Sequence, residues 1–482
     1  MTKILFSHSY YYKLDSKQWK MGTPYPPLGT IYAASFMREN GYEVSLFDVC
    51  LRDRPDEIEA ILVRERPQFL VLYDDGFNYL TKMCLTTMRE AAFEMMAIAK
   101  KYDCTILVNS SDSTDHFEKY LSHGADVILL GEGEISLLET VRALENKTDL
   151  TDVKGLCYTS DSAIIQTGKR AVLKDLDTLP QPAWDLIDVD SYKNIWAGRG
   201  HSFALNIATT RGCPYHCNWC AKPIYGQRYN TRSPQRVVTE IKMLQHKFGV
   251  STFWMCDDIF GLKPGWVQSF NQELKREQLQ IQYKIQSRAD LLLVEDNIDS
   301  LVDSGLYEVW IGAESGSQKI LDAMKKGTKI SQIQESTQLL QSKGVRVAFF
   351  LQFGYLNETK DDIEATIKML LNFMPDDIGV SVSYPLPGTE FYDIVKSQLS
   401  EKANWTDSDD LALMFQNTFN QKYYKTLHRY VHKVFRNAQA KQVVAQQGFS
   451  SIYGLKAWAK QVYYYPIISR LEKELKSLSN LN

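Results

Sequence analysis

Three cysteines, Cys213, Cys217 and Cys220, lie in one short stretch, TTRGCPYHCNWCAKP, of a chain that holds eight. Eight thiols in 482 residues do not make a disulfide framework, so a cluster of three asks for a metal or redox explanation. Three thiolates can anchor a cubane iron–sulfur cluster, which ordinarily takes four cysteines. With three, one iron keeps an open position where a substrate or cofactor can bind, much as a catalytic metal keeps a free site. The rival is a structural zinc centre, which needs four ligands and would recruit His216 or Cys256. Cys50, Cys84, Cys104 and Cys157 read as small buried hydrophobes.

The elements around this loop form a βα series from about residue 201 to 400. Apolar strands are expected at 203–210, 251–258, 281–287, 307–315, 345–354 and 377–385. The helix after the loop is well marked: Ser233 can cap it and Pro234 suits its first turn. Val237, Ile241, Leu244 and Phe248 share a face, and Gly249 stops it. Six units imply a partial parallel (β/α)6 barrel, with chemistry at the carboxyl ends of strands. Those ends carry Asp257 and Asp258, Ser287 and Arg288, Glu314, and Gln352. Glu314 reads as functional, the bland alternative being a buried ion pair with Arg288; one of Asp257 and Asp258 can instead cap the next turn.

Residues 1–145 alternate strands at 3–9, 42–49, 69–75, 105–111 and 126–132 with amphipathic segments. This is the pattern of a doubly wound, Rossmann-like α/β domain, with its ligand at the strands' carboxyl ends. Residues 146–200 read as a linker with one hairpin at 155–168. Residues 401–482 read as helical and aromatic. There Lys422, Lys425, Arg429, Lys433 and Arg436 flank His428 and His432 on a solvated face. Trp458, Tyr463, Tyr464 and Tyr465 are expected to cover the core rather than touch a lipid surface.

Lys plus Arg is 55 against 58 for Asp plus Glu, which gives no electrostatic case for a nucleic-acid partner. No apolar run is long enough for a signal peptide or a membrane span, so a cytoplasmic location is expected.

The Cys-x-x-x-Cys-x-x-Cys spacing after a first barrel strand resembles the radical S-adenosylmethionine (radical SAM) superfamily, over roughly residues 200–390. The resemblance implies that Cys213, Cys217 and Cys220 hold a [4Fe-4S] cluster whose open iron chelates S-adenosylmethionine. One electron then cleaves the sulfonium to a 5′-deoxyadenosyl radical. Trp219 is placed near the adenine, and Asp257, Asp258, Ser287, Arg288, Glu314 and Gln352 become candidate contacts to the methionine and ribose groups. PYPPLGTIYAASFMRENGYEVSLFDV and GADVILLGEGEISLLETVRAL resemble the cobalamin-binding domain that precedes the barrel in one large class. That class includes cobalamin-dependent methylases and the anaerobic magnesium-protoporphyrin ester cyclase. The corrin contacts so implied are Pro27, Leu28, Gly29, Tyr73, Asn109, Ser110, Gly131, Glu132, Gly133 and Glu134. Two departures from that class stand out. No Asp-x-His-x-x-Gly supplies a histidine to the cobalt, and Asn109-Ser110-Ser111-Asp112 replaces a Gly-rich turn. The resemblance implies an oxygen-sensitive enzyme that methylates a carbon or phosphorus centre of a small molecule, apolar or tetrapyrrole-like, with flavodoxin or ferredoxin as electron donor. Its rivals are a cyclase-like reaction without methyl transfer, a radical SAM enzyme without cobalamin, and a non-catalytic zinc or cofactor-binding scaffold.

Overall fold

The computed structural model describes residues 1–222, 224–294, 296–399, 402 and 404–479. Five short apolar runs form β1 (Lys3–Ser7), β2 (Glu43–Phe47), β3 (Phe69–Tyr73), β4 (Thr105–Asn109) and β5 (Val127–Leu129). They pair in parallel in the order β2-β1-β3-β4-β5. Every residue of the central strand, Phe-Leu-Val-Leu-Tyr, is buried, as a strand covered on both faces requires. The expected hairpin exists as β6 (Leu156–Ser160) and β7 (Ala163–Gln166), but it does not stand apart in a linker. β6 pairs antiparallel with β5 and extends the sheet to seven strands. The helix Val189–Gly198 is likewise tied to this region. Tyr192 donates to Asp48 Oδ2 at 2.7 Å and the Trp196 indole N–H to the Pro24 carbonyl at 2.8 Å.

The second series gives β8 (Leu205–Ile207), the two-residue ribbon β9 (Thr210–Arg211) and β10 (Asn230–Thr231), and then β11 (Thr252–Met255). β12 (Gln282–Ser287), β13 (Leu306–Glu314), β14 (Arg346–Phe353) and β15 (Asp377–Val382) follow. Apart from the ribbon these form one six-stranded sheet in sequential order, β8-β11-β12-β13-β14-β15, as expected for a partial barrel. The helix Pro234–Phe248 begins and ends where the sequence places it. Ser233 accepts from the Arg236 N–H, and Gly249 closes the helix at φ +65°.

The chain divides into two compact units. One comprises Met1–Tyr215, Ala221–Ile285 and Asn404–Asp410; the other comprises His216–Cys220, Gln286–Ala403 and Leu411–Asn482. In the second, the long helices Gln421–Gln447 and Ile452–Leu478 pack together, and the Gln461 amide donates to the Ala440 carbonyl at 3.2 Å. The expectation for the tail aromatics fails here. Trp458 is 49% exposed, Tyr463 63% and Tyr465 75%, because the buried stripe of this helix runs through Gly454, Ala457 and Leu471 instead.

Candidate functional site

In the first unit the cysteine loop is closed at its base. β9 and β10 pair antiparallel, Thr210 opposite Thr231 and Arg211 opposite Asn230. Gly212, at φ +80°, lies so near the Arg228 carbonyl that an added Cβ would sit 2.4 Å from it, so the chain turns there only as glycine. Asp257, at the end of β11, holds the same base from below. It accepts from the backbone N–H groups of Thr209 at 2.7 Å and Thr210 at 2.9 Å, and from the Thr209 hydroxyl at 2.5 Å. Burial pushes its carboxyl up to about 7 despite these donors. Asp257 is thus spent on the loop, while Asp258 pairs with Lys82 at 2.5 Å.

Arg211, two residues before Cys213, was not anticipated and is a centre of this unit. Its guanidinium is buried and pairs with Glu132 and Glu134, each at 2.6 Å, while lying over the rings of Tyr225, Tyr32 and Phe77. A signal was available: two carboxylates in Gly-Glu-Gly-Glu with no cation near them in sequence need a partner if buried. Of the expected corrin contacts, Glu132 and Glu134 are therefore engaged with Arg211. The rest gather at the carboxyl edge of the first sheet, and Pro27, Leu28, Gly29, Tyr73, Asn109 and Ser110 are buried there. Tyr73 Oη accepts from the Gly133 N–H at 3.2 Å, and the Asn109 amide donates to the Leu129 and Gly131 carbonyls at 2.9 and 3.0 Å. A Cβ at Gly133 would meet Tyr73 at 2.8 Å, so this edge is close-packed around its glycines.

In the second unit Asn218 pins the Cys217–Cys220 turn. Its N–H donates to the Met324 carbonyl at 3.1 Å and its amide to the Ala323 carbonyl at 2.8 Å, and its side-chain oxygen accepts from Tyr355 at 3.0 Å. The Trp219 ring packs against the cluster of Ile320, Met324, Tyr355 and Phe391, and its indole N–H has no partner. Glu314 ends β13 at a bulge, with φ +56°, a left-handed conformation that a non-glycine residue adopts only under constraint. Its partner is Lys326, at 2.8 Å with both buried, and not Arg288. Burial pulls the Lys326 ammonium down, but Glu314 and then Cys217 outweigh it and hold it above its ordinary value. Arg288 instead pairs with Asp290 at 3.0 Å and donates to the Thr328 hydroxyl at 3.1 Å. Ser287 is buried, and the Gln352 amide donates to Ser383 at 2.8 Å. Glu358, after β14, accepts from the Gly354 N–H at 2.7 Å, and burial pushes it up to about 8.

The eight cysteines separate into two kinds. Cys50, Cys84, Cys104, Cys157 and Cys256 are buried, whereas Cys213, Cys217 and Cys220 are part-exposed. The donor set and its accessibility fit an iron–sulfur cluster. Among the described residues, no three Cys, His, Asp or Glu side chains already stand at metal-holding distances.

Residues 207–370, which hold the cysteine loop and the strands from β9 to β14, match the Radical SAM superfamily. An uncharacterized methyltransferase of Pyrococcus horikoshii is 26% identical over 391 residues, 80% of this chain and 82% of that one. The anaerobic magnesium-protoporphyrin IX monomethyl ester cyclase of Synechocystis sp. is 27% identical, covering 77% and 73%. The solved structure of the cobalamin-dependent S-adenosylmethionine radical enzyme OxsB, with aqua-cobalamin and S-adenosylmethionine bound, superposes with a TM-score of 0.71 at 15% identity. That superposition covers 99% of this chain and 80% of OxsB, so the fold is shared over nearly the whole chain: a Rossmann-like sheet, a partial barrel and a helical C-terminus.

Proposed function

We propose that this chain is a cobalamin-dependent radical SAM enzyme that methylates an unactivated carbon, or a phosphorus, centre of a small molecule. The observation that carries the reading is the segregation of thiols: the three in the Cys-x-x-x-Cys-x-x-Cys loop are accessible and the other five are buried. Cys213, Cys217 and Cys220 would hold the cluster, and the carboxyl edge of the first sheet, from Gly29 to Tyr73, Asn109, Ser110, Gly131 and Gly133, would hold the corrin. When bound, the cluster and S-adenosylmethionine supply the 5′-deoxyadenosyl radical, and cobalamin supplies a methyl carrier.

The chain's own part is to place charge. The Glu314–Lys326 pair sets a carboxylate and an ammonium at the end of β13, suited to the amino and carboxylate groups of a methionine moiety. Arg288, steadied by Asp290 and Thr328, offers a second cation for a carboxylate. Asp257 fixes the entry to the loop and needs no contact with substrate. Asp258, Ser287, Gln352 and Trp219 remain candidate contacts to the ribose and adenine. The substrate is apolar or tetrapyrrole-like, the electron donor is a flavodoxin or ferredoxin, and the compartment is the cytoplasm. No helix among the described residues is long and apolar enough to cross a membrane.

The second reading is an oxidative cyclase without methyl transfer, favoured by the similarity to the protoporphyrin ester cyclase over 77% of the chain. Anaerobic incubation with methyl-labelled S-adenosylmethionine and candidate substrates separates them. Label in the product supports methylation; an unlabelled, oxidised product supports the cyclase. A corrin spectrum from anaerobically purified protein tests the cofactor itself.

A further inference from the structure

The C-terminal hairpin carries two properties that the chemistry above does not use. From Leu411 to Leu471 there is not one Asp or Glu, against nine Lys and Arg. The whole chain has net charge −3, so the remainder carries −3 − 9 = −12. In the same segment the large exposed apolar side chains concentrate: Phe449 (59% exposed), Ile452 (62%), Leu455 (49%), Trp458 (49%) and Val462 (56%), with Tyr463 and Tyr465. On an α-helix, Leu455, Trp458, Val462 and Tyr465, spaced by three, four and three, share one face, and Ile452 and Tyr463 widen it. Exposed Lys456 and Lys460 lie along one border of this band. The Gln461–Ala440 hydrogen bond brings exposed Lys441 to the same end of the hairpin.

We infer that this tip of the hairpin, around Trp458, is a docking surface for an anionic lipid bilayer. A band of Trp, Tyr and aliphatic residues edged by lysines, in a segment that itself carries no Asp or Glu, is what an interfacial helix presents to a charged membrane. The segment cannot span, since no described helix is long and apolar enough, so it lies on the surface. A second copy of the chain is a poorer occupant, because two acid-free cationic faces would repel on docking.

The full chain, sedimented with vesicles of phosphatidylcholine containing phosphatidylglycerol, is expected to partition to the pellet, and to stay in solution with phosphatidylcholine alone. Lys456→Gln with Lys460→Gln lowers partition by about 25-fold, at about fivefold per lysine. Trp458→Ser with Tyr465→Ser lowers it by about tenfold. Both pairs are exposed, so the melting temperature stays at the wild-type value and loss of binding cannot be ascribed to unfolding. Wild-type protein that ignores anionic vesicles, or variants that bind as well as wild type, overturn the inference. A dimer in light scattering that the Trp458 variant dissolves, without vesicle binding, overturns it in favour of a second copy. None of these readouts depends on the cluster or on turnover.

Discussion

Asp257 and Glu314 are both buried carboxylates at the carboxyl ends of barrel strands, yet they are held in opposite ways. Asp257, in the first unit, gathers three donors from Thr209 and Thr210, and among the described residues no cation is bonded to it. Glu314, in the second, has a buried cation, Lys326, and a left-handed backbone at a bulge. A carboxylate satisfied by local backbone N–H groups is a clamp: its work is complete within the protein. A carboxylate held in strained geometry against a buried ammonium keeps charge available to a ligand, and such strain, of order ~1–3 kcal/mol, gathers at functional sites. Position at a strand end is therefore not enough to name a catalytic group; the company of the carboxylate decides.

The largest effect expected lies with neither residue but with the cysteine loop. Cys217→Ala should abolish bound iron–sulfur absorbance and S-adenosylmethionine cleavage while leaving the melting temperature close to wild type, because the thiol is part-exposed. An unfolded variant would make the cysteine structural. Next, Glu314→Gln leaves Lys326 buried without its counter-ion, at a cost of about 3–5 kcal/mol in denaturant titration. Combining it with Lys326→Met should recover most of that stability without recovering 5′-deoxyadenosine release. Recovery of both would turn the pair into a structural one and erase the contrast with Asp257.

Asp257→Asn should cost about 1–3 kcal/mol, since the amide can no longer accept from all three donors. The wild-type carboxyl, raised to about 7, holds its proton more firmly folded than unfolded. Its contribution to stability is complete below the ordinary carboxylate range and is lost as pH rises through about 7. The decline in melting temperature from mildly acidic to neutral pH should therefore shrink in the Asn variant. The decline that persists up to about pH 8 belongs to Glu358, which titrates later for the same reason, and Glu358→Gln should remove it. The smallest effect is Ser233→Ala, which removes one cap bond from the helix after the loop and costs about 1 kcal/mol in thermal unfolding.

Strand positions were legible because apolar runs between helical segments have one economical arrangement, a parallel sheet covered on both faces. The start and stop of the helix Pro234–Phe248 were legible because capping is local. The companions of the buried charges were not. Arg211 meets Glu132 and Glu134 from about eighty residues away, and nothing in the spacing of Met-Lys-Lys-Gly chooses Lys326 over Arg288 as the partner of Glu314. The hairpin at 155–168 was recognised, but its pairing to β5 is a long-range choice. Aromatic density in the tail suggests core, but composition does not reveal which face of a helix finds a partner.

The proposed function stands on an accessible three-cysteine iron–sulfur site that opens S-adenosylmethionine. Its most direct test is wild-type protein reconstituted without air, reduced, and given S-adenosylmethionine, with iron, sulfide and 5′-deoxyadenosine measured together. Such protein should hold about four irons and four sulfides per chain and release the nucleoside only under reduction. Reconstituted protein that holds zinc instead, or that holds the cluster and leaves S-adenosylmethionine intact, would contradict it.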